Sequence, residues 1–291
     1  MLYGNCISYK NTNHIRILKD AGFDYIETSL APLYSAEKSD ISAFLSALDE
    51  NNIKCEAVNV LFPGDISLTG DNINKEKIKA YIEEIFGKTK DFGFQRVVFG
   101  SGGARKYPDG FPKEKALVQI IEVIENYLLP AAEKYDFILS IEELNRGETN
   151  ILNSVDEVEY IINRVNNPRV KLLADLYHIA IEKDDVTKLS RKGNIIAHCH
   201  IANPYNNRYY PSEKDSEESL NLYREFFGSL KSAGYDKRIS IEGAVGRLSE
   251  IDISESDTDT EIPDWVSEGD KLFYAESKKS LEFMKSIEGQ I

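Results

Sequence analysis

Glu142, Asp175, His200 and Glu242 each stand near the end of a short aliphatic run, in ILSIEEL, VKLLAD, IIAHCHI and RISIEGA. A loop or helix pattern follows each run, so all four belong to the carboxyl ends of strands. Two glutamates, one aspartate and one histidine form an oxygen-rich donor set with a single imidazole. Such a set suits Mn²⁺, Mg²⁺ or Co²⁺, a divalent ion that must also hold oxygens of a substrate. Two carboxylates beside one cation also suit proton chemistry. The ion polarises a carbonyl or hydroxyl, and the carboxylates remove and return a proton next to it. Placed on opposite sides of a sugar carbon, they would allow inversion.

Each residue also has a simpler reading. Side chains alternate along a strand, so Glu142 faces inward if Ser140 does, and the adjacent Glu143 must face elsewhere. The continuation LNRGE brings another acid and a guanidinium close by. Asp175 alone would be an ordinary helix cap. His198 and His200 are two apart, hence on one face, with Cys199 on the other. His200 is nearer the strand end and is the expected ligand, with His198 a layer below in support. Glu242 could be a buried acid paired with a rim cation. Four metal-type residues ending four successive strands make the site the stronger reading.

Those strands belong to a longer series. LYGNCIS, FDYIETSL, KCEAVNVLF and QRVVFGS precede them, and amphipathic stretches such as ISAFLSALDENN, VDEVEYIINRV and KLFYAESKKSLEFMKSI lie between strands or close the chain. The stretch ALVQIIEVIENYLLPAAEKY reads as a helix of the same kind. Strands alternating with helices imply a parallel sheet. Eight such units over 291 residues predict an α/β fold, a (β/α)8 barrel in one domain spanning 1–291. An open doubly wound sheet would offer a Gly-rich phosphate turn after its first strand. NCISYKNTN has none, and GSGGAR after the fourth strand reads as a flexible loop over the barrel mouth. Residues 249–264, SEIDISESDTDTEIPD, read as an acidic, solvated loop insertion, with a lid over the site as the alternative.

A formal net charge of −14 disfavours nucleic acid and anionic membranes as partners. Cys6, Cys55 and Cys199 are widely spaced without a CxxC pair, which fits a reducing compartment. No signal-peptide pattern or membrane-length apolar run is present, so the expected location is the cytoplasm. A homodimer or homotetramer is compatible with this reading.

The motifs IEELNRGETNILNS, DLYH, HCHIANP-NNR-YP and SIEG, with GFDYIET near the start, are familiar. The chain resembles the xylose-isomerase-like sugar phosphate isomerase/epimerase superfamily, and within it the ketose 3-epimerases acting on tagatose, psicose and fructose. The resemblance spans essentially the whole chain and is specific in the second half. It implies that Glu142 and Glu242 are both metal ligands and the catalytic acid/base pair, with Asp175 and His200 completing the ligand set. Glu148 and His178 would hold the carbonyl end of a sugar, and Arg208 its oxygens. The implied reaction is proton removal at C3 of a ketose, a metal-held enediolate, and proton return from the other face. Mn²⁺ or Co²⁺ is the usual ion.

This chain departs from the family pattern in several places. The stretch IANPYNNRYYPSEKDSE after the metal histidine is longer, Gly147 stands where an aromatic residue is frequent, and the loops LFPGDISLTGDN and FGSGGARKYPDGF and the 249–264 excursion differ. A related lyase acting on an inosose or a 3-keto sugar or glycoside would use the same metal and base. Endonuclease IV-like phosphodiesterases need many histidines, and this chain has four. A non-catalytic sugar-binding barrel would lack one of the ligands, and none is lacking. Arg105, Tyr107, Tyr205, Tyr209, Tyr210 and Trp265 fall in expected mouth loops, each with an ordinary packing role as the simpler account; His14 reads as a surface or capping residue.

Overall fold

Burial of alternating side chains on both faces of a parallel sheet calls for helices outside and a filled interior. The computed structural model, which describes residues 1–246 and 261–291, meets that requirement by closing the sheet. The strands are β1 (Leu2–Cys6), β2 (Tyr25–Ser29), β3 (Lys54–Asn59), β4 (Arg96–Phe99), β5 (Ile138–Glu142), β6 (Val170–Asp175), β7 (Ile196–Ile201) and β8 (Arg238–Ile241). They are hydrogen-bonded in chain order as a closed barrel, every neighbouring pair parallel, with β8 returning to β1. The expected (β/α)8 architecture is therefore the one observed.

Helices α1 (Thr12–Ala21), α2 (Lys38–Glu50), α3 (Lys75–Lys88), α4 (Gly102–Arg105), α5 (Lys113–Val123), α6 (Leu129–Tyr135), α7 (Val155–Val165), α8 (Leu176–Ile181), α9 (Glu217–Ser232) and α10 (Lys271–Gln290) connect the strands and close the chain. Their apolar faces meet the outward sides of the strands in one core that includes Phe44, Ile85, Ile120, Ile161, Phe226 and Met284. The run expected as one helix over 116–135 is broken by a π-helical turn at Ile124–Leu128. Pro130, two residues on, lacks an N–H and crowds the carbonyl four residues back, so the ladder must loosen there.

Inside the barrel, side chains stack in layers. Gly4 is paired with Tyr25, and a Cβ at Gly4 would overlap the Tyr25 ring, so the glycine makes room for the phenol that fills the floor. Tyr25, His198 and Ser240 occupy this level, with Tyr25 Oη 2.8 Å from Ser240 Oγ. One step toward the mouth, the interior turns ionic. The Gly-rich GSGGAR segment forms α4 rather than an open loop, with Ala104 and Arg105 buried. Of the acidic insertion expected at 249–264, residues 249–260 lie outside the described residues. Among the described residues no helix is long and apolar enough to cross a membrane.

Candidate active site

Glu142 and Asp175 end β5 and β6, His200 is the penultimate residue of β7, and Glu242 follows β8 directly. Parallel strands in register bring these ends to one rim, as in the pairing of Asp175 with His200. The four side chains each offer one ligand atom, and those atoms all lie within 4.8 Å of one another. His200 Nδ1 stands 3.2 Å from Glu142 Oε1 and 3.5 Å from Glu242 Oε2. Glu142, Asp175 and His200 are buried, whereas the Glu242 side chain keeps 22% exposure and faces the mouth.

Three carboxylates converging in a buried space need compensating positive charge. Arg208 supplies part of it, with Nη2 bonded to Glu242 Oε2 and 3.3 Å from Asp175 Oδ2, and Nη1 3.6 Å from Glu148 Oε1. Its guanidinium lies over the Tyr177 ring, and both Asn207 and Arg208 adopt left-handed backbone to turn it inward. The donor set fits a divalent cation by its chemistry: carboxylate oxygens dominate, and the one imidazole points a nitrogen at them.

The two glutamates differ electrostatically. Burial pushes the Glu142 carboxyl above its ordinary value, with the charge of Glu242 adding to the shift. Burial would also raise Glu242, but the His200 imidazole and the Arg208 guanidinium overcome it and hold that group down at about 2. Glu143 points away from this cluster, as alternation requires. It accepts the Asp175 backbone N–H at 2.8 Å, and burial pushes its carboxyl well above the usual range.

The remaining expected residues also gather here. His178 Nδ1 accepts the backbone N–H of Asn145 at 3.2 Å, which turns Nε2 toward Asp175 Oδ2 at 3.4 Å. Glu148 is exposed at the rim, with Asn145 Nδ2 3.2 Å from its Oε1. Asp175 caps α8 as well, accepting from Tyr177 N at 2.8 Å, so the capping role leaves its second oxygen turned to the cluster.

The chain belongs to the xylose isomerase-like TIM barrel family. The family model matches residues 15–263. Among curated proteins the chain is similar to an L-ribulose 3-epimerase of Methylomonas sp. (strain DH-1), 26% identical over 76% of this chain and 74% of that one. It is also similar to a 3-dehydro-D-guloside 4-epimerase of Escherichia coli (strain K12), 23% identical over 79% of this chain and 86% of the relative. Among solved structures, the D-psicose 3-epimerase of Clostridium cellulolyticum H10 with D-tagatose superposes with a TM-score of 0.76, at 19% identity and 99% coverage of both chains. That likeness shows a shared barrel fold.

Several supporting residues were not singled out from the sequence. Glu27 accepts from both His198 Nε2, at 2.8 Å, and His200 Nε2, at 2.9 Å. Asn59 Nδ2 donates to Glu242 Oε1 at 3.0 Å, and Asn145 holds His178. The available signal was an acid in the middle of the short strand YIETS, and an amide ending the run EAVN. Of the aromatic and basic residues expected in mouth loops, Arg105 is fully buried and donates Nη1 to the carbonyls of Phe99 and Glu142 at 2.9 Å each. Tyr210 is buried against Asn5, Trp265 stacks under Arg16, and Tyr205 remains exposed at the mouth. His14 is no cap; it stacks on Phe273 and meets Asp270 at 3.2 Å, fastening α1 to the start of α10.

Proposed function

We propose that the protein is a divalent-metal-dependent sugar epimerase that inverts C3 of a ketose or keto-sugar by proton abstraction and return. One observation carries the reading: two carboxylates, from opposite flanks of the site, both come within 3.5 Å of the same His200 nitrogen. Glu142, Asp175, His200 and Glu242 would hold the ion, with Mn²⁺ the best fit and Co²⁺ or Mg²⁺ as alternatives; when bound, it polarises the substrate carbonyl and hydroxyl oxygens. The epimerase activities in the names of both curated relatives support the reaction class.

We take the two carboxylates as the proton-transfer pair, one for each face of C3. Glu242, held ionised by His200 and Arg208, takes the C3 proton, and the C–H electron pair moves into the carbon framework to give an enediolate. Glu142 delivers a proton to the opposite face of C3, and the carbonyl re-forms. In the reverse direction the two exchange roles. Arg208, Glu148 and His178 bind and orient sugar oxygens, and Arg208 also balances charge at Glu242. We place this activity in the cytoplasm, with a small sugar as the partner.

The relative acting on a 3-dehydro-D-guloside favours a second substrate class for the same chemistry, a glycoside oxidised at C3 and deprotonated at C4. Proton abstraction there could also expel a leaving group, as a lyase. Incubation in D₂O with ketoses, inososes and 3-keto glycosides decides among these outcomes. Solvent deuterium at C3 of a ketose is the expected result, and an unsaturated product identifies the lyase. Exchange should vanish on chelation and return with Mn²⁺ or Co²⁺. Full exchange in metal-free protein would overturn the proposal.

A further inference from the structure

Glu27 is the carboxylate that the proposed reaction leaves without a task. It lies on β2 in register with Cys6, has no solvent exposure, and faces β7 through the interior of the barrel. Its oxygens divide between the two histidines of that strand. Oε1 receives His200 Nε2 at 2.9 Å; Oε2 receives His198 Nε2 at 2.8 Å and the Ser240 hydroxyl at 2.6 Å.

We propose that Glu27 is the positioning residue that makes His200 a metal ligand. The inference rests on the reading of His200 as a ligand given above. A neutral imidazole carries one proton, and only its bare nitrogen can bind a metal. An ionised carboxylate can only accept, so its contact at Nε2 keeps a proton there, and Nδ1, 3.2 Å from Glu142 Oε1 and 3.5 Å from Glu242 Oε2, is the nitrogen whose proton a metal would replace. Metal-binding histidines commonly donate the other N–H to a carboxylate in this way. His198 and Ser240 hold the second oxygen, so the carboxylate cannot rotate away from His200.

Cys6, Glu27 and His200 also bring ligand atoms within 4.8 Å of each other. A second ion there would have to displace the hydrogen bond between Glu27 and His200, and His200 would have to bind ions through both nitrogens. Glu27 therefore holds a ligand rather than acting as one. The same arrangement explains a fully buried glutamate in β2. Without two imidazoles opposite, its burial would cost several kcal/mol, on the order of the penalty for an unpaired buried charge.

The test is metal affinity rather than turnover. Chelator-stripped protein is titrated with CoCl₂ by calorimetry, and the visible spectrum of the Co²⁺-loaded form reports the ligand field. Glu27→Gln, which keeps the shape but offers an amide N–H₂ to one imidazole, is expected to weaken Co²⁺ binding about 10–100-fold and shift the visible bands. In a His200→Ala background the same substitution should add nothing. Unchanged affinity in Glu27→Gln, or an equal loss in the His200→Ala background, overturns the inference. Failure of the wild type to bind Co²⁺, or full affinity in His200→Ala alone, would instead overturn the ligand reading beneath it. Should Glu27→Gln not fold, Glu27→Asp keeps the charge, draws the oxygens back by one methylene, and is expected to give the same pattern in both backgrounds.

Discussion

The rim of β5–β8 and the rim of β1–β4 divide the labour of this barrel unequally. The second half supplies the groups that would meet a substrate or ion: Glu142, Asp175, His200 and Glu242. The first half supplies neighbours that hold them. Glu27 on β2 grips His200, Asn59 on β3 donates to Glu242, and Arg105 beyond β4 donates to the Glu142 carbonyl. Gly100, next to the end of β4, leaves the space that the Glu142 carboxyl occupies. The difference teaches where precision comes from. A cluster of like charges does not stay in place unaided, and a rigid buried frame of donors limits how far each carboxylate can move.

The comparison breaks if the reacting groups can be removed cheaply. Glu142→Gln and Glu242→Gln each keep the side-chain shape and remove the proton-transfer function, so kcat should fall about 10²–10⁴-fold with the fold intact by circular dichroism. Near-wild-type turnover in either variant would return the site to a binding role. A supporting residue should cost less and act through its neighbour. In Gly100→Ala, the added Cβ would overlap Glu142 Oε2, so that carboxyl must shift. Displacement of a catalytic group by about 1 Å costs roughly 10²-fold, and kcat should drop by about that factor while KM changes little. A Gly100→Ala enzyme as active as wild type would show that Glu142 has room the structure does not give it.

The sequence carried the second half of the site more openly than the first. Glu142, Asp175, His200 and Glu242 each close an apolar run, so period-two alternation and the strand end together locate them. The barrel itself follows from eight strand-like runs alternating with helical ones. Glu27 is different, because YIET also describes a strand with one solvated face. Only closure of the sheet places β2 across from β7, and no local spacing encodes a contact 173 residues apart. Arg105 misleads for a related reason: after GSGGA an arginine looks like a loop residue, yet α4 folds it beneath the Phe99 and Glu142 carbonyls.

Asn59 gives the finest test of the division between the halves. Its Oδ1 accepts from Ser29 Oγ at 2.8 Å, which orients the amide so that Nδ2 donates to Glu242 Oε1. A hydrogen bond to a charged group contributes about 1.5–3 kcal/mol. Only the share realised in the transition state slows turnover, so Asn59→Ala should lower kcat about 10-fold, roughly 1.4 kcal/mol. Asn59→Asp makes the sign visible. A further carboxylate beside Glu242 disfavours its ionised form and raises its pKa from the about 2 at which His200 and Arg208 hold it against burial. In the proposed reaction Glu242 would act as a base only when ionised, and that form is lost as pH falls through its pKa. The acid limb of the kcat profile should therefore move to higher pH in Asn59→Asp and move less in Asn59→Ala, which removes a donor without adding charge. A profile that scales down in Asn59→Asp with no shift of its acid limb would mean that Asn59 braces the barrel rim and leaves the protonation of Glu242 untouched.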